Sequence, residues 1–79
     1  MYHLHHYVSA KTARERGDYD VALAQAIPIA KQGEVWALNL VGLMYLNGQG
    51  LPPNRDTGLH LIHQAAEKGW VNAHYNLTF

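Results

Sequence analysis

An internal repeat constrains this chain more than any other feature of its sequence. Ala30-Lys31-Gln32-Gly33 returns as Ala66-Glu67-Lys68-Gly69, a shift of 66 − 30 = 36 residues. The same shift carries Leu23 to Leu59, Asp20 to Asp56, Val35 to Val71 and Ala37 to Ala73. Asp18 lands on Asn54, and both are residue types that start helices by accepting from free backbone N–H groups. Matches in order on both sides of a glycine, at one shift, point to a repeated structural unit.

Glycines and breakers divide each unit into a pair of helices. Gly17-Asp18 ends one helix and begins the next, Gly33 ends that one, and Gly69 ends the fourth. Asn47-Gly48-Gln49-Gly50-Leu51-Pro52-Pro53-Asn54 is too dense in Gly and Pro for a helix and is read as a loop with a cap at its end. The punctuation predicts helices near 3–16, 18–32, 34–47, 55–68 and 71–78. Pro28 falls inside the second, where a missing N–H and a steric clash cost about 3 kcal/mol and predict a kink or an early break. No segment alternates apolar and polar residues in the manner of a strand. The expected fold is all-α: one domain, 1–79, forming a short α–α superhelix (solenoid) of about two and a half helix-pair repeats. Its units are about 3–33 and 34–69, with a partial third unit at 70–79.

Composition narrows the function. Six Lys and Arg balance six Asp and Glu, and charged residues make up 15% of the chain against about 25% in an average domain. So neutral a chain offers no footprint for nucleic acid. It lacks 18 consecutive apolar residues, so no membrane insertion is expected. Residues 1–10 lack the basic start and unbroken apolar stretch of a leader, and a cytoplasmic chain is the expectation. There is no cysteine to form a disulfide or a thiolate metal site. A chain of 79 residues therefore relies on a small apolar core, which association with a partner would complete.

Residues 37–77 carry a more specific pattern: Ala37, Val41-Gly42, Tyr45, Gly48-x-Gly50-Leu51, Ala65-Ala66-Glu67-x-Gly69, Ala73 and Leu77. This pattern resembles the Sel1-like repeat, a relative of the tetratricopeptide repeat. It departs at Asn54, where Asp is usual, at Gly58, where Ala is usual, at Leu61, where Trp is common, and at Thr78, where the next Gly would fall. Gly58 lowers helix stability by up to about 1 kcal/mol. The first unit, with Ala10, Ala13, Gly17, Tyr19 and Ala22, is closer to an ordinary tetratricopeptide repeat. Ala13 and Ala22 are 9 apart, whereas the equivalent Tyr45 and Gly58 are 13 apart, so the second unit carries a four-residue insertion. The resemblance implies a protein-interaction scaffold or adaptor, with roles in regulatory or envelope-related assembly. Within it, small Ala37, Gly42, Ala65 and Ala66 let helices approach, Tyr45 fills the space between them, and Gly48 and Gly50 supply positive φ.

The third helix is the place to look for function. Between Glu34 and Asn47 only Glu34, Asn39 and Asn47 are polar, and a helix apolar all round must be covered all round. One stripe (Leu38, Val41, Gly42, Tyr45) is the packing face of the repeat. A second (Trp36, Asn39, Leu43, Leu46, Asn47) takes the inner, concave wall of related repeats. Two readings of that stripe stand: neighbouring helices cover it, or it binds a protein or peptide partner with Trp36 as an aromatic anchor and Asn39 as a backbone-binding amide.

Chemistry is less well served. Ser9 is the only serine and has no glycine elbow, and the carboxylates fall where helix capping and solvation explain them. Neither an enzyme nor a cofactor is expected. Six histidines raise a metal-binding alternative through His60, His63 and His74, with His3, His5 and His6 crowding the start, but no His-Glu-x-x-His spacing supports it. Finally, 71–79 opens a new repeat and offers Tyr75, Leu77 and Phe79 without a charged side chain, so a homo-oligomer is expected.

Overall fold

Three helix ends share one device for turning the chain. After the first helix, Asp18 N–H reaches back to the Ala13 carbonyl (2.8 Å); after the second, Glu34 N–H reaches Ile29 (3.4 Å); after the third, Gln49 N–H reaches Met44 (2.9 Å). Each bond closes over a glycine with positive φ: Gly17 at 85°, Gly33 at 88° and Gly48 at 67°. These six-to-one bonds satisfy carbonyls that a helix end would otherwise leave unpaired. A computed structural model describes residues 2–69 of the chain, with side chains from residue 6 onward.

The helices so delimited are α1 (Tyr2–Glu15), α2 (Tyr19–Lys31), α3 (Val35–Asn47) and α4 (Arg55–Glu67). No strand occurs among the described residues. The protein is all-α; its described residues form two stacked helix pairs, and the limits of these four helices fall within about one residue of those read from the punctuation. The fifth helix expected at 71–78, and with it the partial third unit, lies outside the described residues.

Pro28 does not break α2, which runs on through it to Lys31. Both Pro28 and Ala24, whose carbonyl loses its partner, are exposed, so that carbonyl is not shut away from solvent. Asp18 occupies the N-cap position of α2 but makes no side-chain cap bond, whereas Asn54 at the start of α4 accepts from Thr57 N–H at 3.1 Å.

Helices pack in sequence, α1 on α2, α2 on α3 and α3 on α4, with a lighter contact between α1 and α3. α3 belongs to both parts of the core. Trp36, Ala37, Leu40, Val41 and Met44 join Ala10, Ala13, Ala22, Leu23 and Ala26 of the first pair. Leu38 joins Ile62, Ala65 and Ala66 of α4, flanked by Leu43 and Leu46. The near absence of polar residues from α3 is thus explained by its position between α2 and α4.

Gly58 is no weakness. A Cβ there would stand 2.8 Å from the Gly42 carbonyl oxygen, and one on Gly42 would stand 2.9 Å from the Gly58 carbonyl oxygen. The two backbones meet, and only glycine on both sides permits it.

The four-residue insertion also has a place. Gly50 lies on Tyr19 and Leu23 of α2, so that a Cβ would come within 2.8 Å of the Tyr19 Cβ. Leu51 packs on the first core cluster, and Asn54 N–H returns to the Tyr45 carbonyl at 3.0 Å. The loop ties the second pair to the first.

Candidate functional site

α1 and α3 run in the same direction, and a groove opens between them. At one end the Tyr7 and Trp36 rings pack with centroids 5.5 Å apart, tilted by 48°. At the other, Arg14 Nε donates to Gln49 Oε1 of the long loop at 2.8 Å. Between them α1 presents Tyr7, Lys11 and Arg14 at i, i+4 and i+7, and α3 presents Trp36, Asn39, Leu40 and Leu43 at i, i+3, i+4 and i+7. Both spacings place side chains on one helix face, so the two stripes form facing walls. The concavity they enclose measures about 200 Å³.

The walls differ in character. That of α3 is apolar apart from the amide of Asn39, while that of α1 carries two cations beside one aromatic ring. Lys11 pairs with Glu15 at 3.8 Å, but both side chains are more than half exposed. Such a pair on a helix surface contributes about 0.3–0.5 kcal/mol and yields readily to a competing anion. Arg14 is half-buried and held in place through Nε, leaving the rest of its N–H fork for an acceptor.

Of the five residues expected on the binding wall, the groove brings together Trp36, Asn39 and Leu43. Leu46 turns toward α4, where its Cγ lies 2.9 Å from a Cβ built on Gly58, and Asn47 is exposed at the end of α3. Trp36 is deeper than a residue on an open wall: only 7% of it is exposed, because α1 lies over the start of α3. Tyr45, expected as the core aromatic, is only partly buried. The indole Nε1 of Trp36 is enclosed and has no hydrogen-bond partner, an uncompensated buried donor.

Tyr7, Lys11 and Arg14 were not singled out from sequence, although a signal for them exists. The first helices of the two units correspond at a shift of 32 residues, Ala10 to Gly42 and Ala13 to Tyr45. That shift carries Tyr7 to Asn39, Lys11 to Leu43 and Arg14 to Leu46. Three of the expected wall positions therefore have counterparts on α1, and these form the opposite wall.

A second, wider furrow of about 380 Å³ lies between α2 and α4, lined chiefly by Ile27, Ala30, Leu38, Val41, Tyr45 and Leu61. His60 and His63 are exposed on α4, with His60 Nε2 3.3 Å from the Gln64 amide, and His74 lies outside the described residues. Among the described residues no three His, Asp or Glu side chains converge as a metal site would require. None of the helices described is long and apolar enough to cross a membrane.

No protein-family model matches the chain, and no solved structure matches it.

Proposed function

We propose that this protein is an interaction module, a scaffold or adaptor that holds a segment of another protein in the groove between α1 and α3. The observation that carries this reading is the composition of the facing walls. Trp, Tyr and Arg are the residue types that dominate binding energy at protein interfaces, and Trp36, Tyr7 and Arg14 line one concavity here. The wider furrow between α2 and α4 is more apolar and has no comparable set. The repeat pattern at 37–77 supports a place among Sel1-like, tetratricopeptide-related proteins, whose solenoids bind partners through their inner helix faces. The fold alone would not carry this, since function rests on the site rather than the architecture.

The test needs no mutation. Short random peptides displayed on phage are selected on the whole chain, and the enriched peptides are titrated into the ¹⁵N-labelled protein. Amide shifts clustered on Tyr7, Arg14, Trp36, Asn39 and Leu43 are expected. Shifts centred on Ile27, Tyr45 and Leu61 would move the site to the furrow, and a failure to enrich any peptide would overturn the reading.

A further inference from the structure

We infer that the groove selects an acidic segment: an Asp or Glu side chain placed about three residues from an apolar one. This rests on the reading of the groove as a peptide site and adds the chemistry of its occupant. The whole chain carries no net charge, yet the charged side chains lining this groove, Lys11 and Arg14, are both positive. They lie on consecutive turns of one helix, so their fields add along one wall.

Geometry sets the spacing. Tyr7 and Arg14 are seven residues apart on α1, roughly 10 Å along the axis at the rise of an α-helix. An extended peptide covers that in about three residues. The Tyr7–Trp36 end is aromatic and takes an apolar side chain. The opposite end presents Arg14 in a fixed pose, since its bond to Gln49 holds the guanidinium before a ligand arrives. A pre-placed guanidinium donates to a carboxylate through paired N–H groups, which a neutral amide cannot match. Lys11 sits between, and its weak pairing with Glu15 lets it turn to the same anion.

Composition of the selected peptides tests this apart from the site itself. Enriched sequences should carry Asp or Glu about three positions from an apolar residue, and replacing that acid with its amide should weaken binding roughly tenfold or more. Raising salt should weaken the acidic peptides and leave their amide versions nearly unchanged. The paired substitution Lys11→Glu with Arg14→Glu should move the selection from acidic to basic peptides. Because Arg14 also supports the loop, Lys11→Gln, on an exposed side chain, is the second variant, expected to cut affinity for the acid peptide alone. Peptides that shift the groove amides but show no acidic preference would overturn the proposed chemistry and leave the groove standing. Peptides that bind elsewhere, or none at all, would remove both.

Discussion

The two helix pairs solve the same packing problem at different separations. In the first, alanines stand at the equivalent positions, Ala10 and Ala22, both fully enclosed, and a tight turn joins the helices. In the second, Gly42 and Gly58 take those positions, and the backbones come close enough that any Cβ would strike the opposing carbonyl. Glycine inside a helix costs about 1 kcal/mol against alanine, so two of them need compensation. The compensation is visible in what the close approach encloses: Ile62 is 1% exposed, Ala65 is fully enclosed and Ala66 is buried. Propensity and packing oppose each other here, and the magnitudes decide for packing.

The largest effects should come from emptying either core. Trp36→Ala in the first cluster is expected to cost about 3–5 kcal/mol and Ile62→Ala in the second about 2–5. Because α3 contributes to both clusters, each variant should lower one common urea transition. Two separated transitions would show the pairs to be independent and break the comparison at its root.

Alanine at the glycine contact comes next. Propensity alone says Gly42→Ala gains about 1 kcal/mol. The added Cβ would lie 2.7 Å from Ile62 Cγ1 and 2.9 Å from a carbonyl oxygen that has no rotamer to escape into. We expect a net loss of about 1–3 kcal/mol, as for other overpacked interiors. The reverse change in the first pair, Ala22→Gly, should cost about 0.5–1 kcal/mol through backbone entropy. A stabilised Gly42→Ala protein in thermal melts would mean the second pair has room to spare.

The smallest contrast concerns the caps. Asn54→Ala removes the bond to Thr57 N–H and should cost about 1 kcal/mol. Asp18→Ala removes no such bond and should cost a few tenths at most, from its charge near the helix start. Equal losses in chemical denaturation would sink the distinction between the two starts.

Much of this fold was legible in the sequence because helix ends are local events. Gly17, Gly33 and Gly48 mark where positive φ is needed, and no distant residue changes that requirement. The nearly all-apolar α3 likewise pointed to a covered position. What escaped was whatever depends on two helices meeting. Gly58 looks like a weak helix residue until Gly42 stands opposite it. Trp36 looks like an open anchor until α1 lies over it with Tyr7 against its ring. The cationic wall was hidden because the 36-residue shift aligns second helices, while the inserted loop sets the first helices to a shift of 32.

That loop also limits how far the repeat is a repeat. Gln49 bonds Arg14, and the position equivalent to Arg14 in the second unit is Leu46, which has nothing to donate. Gly50 rests on the Cβ and backbone of Tyr19 and on Leu23, and their counterparts at the shift of 36, Arg55 and Leu59, carry the same atoms. A tandem copy of 34–69 appended to itself would keep the glycine contact and lose the bond to Gln49. Idealised solenoids are interchangeable bricks, extended by adding more of the same. These two units are instead a keyed pair: one side-chain bond across the loop marks their order, and a longer array of the second unit would have to do without it.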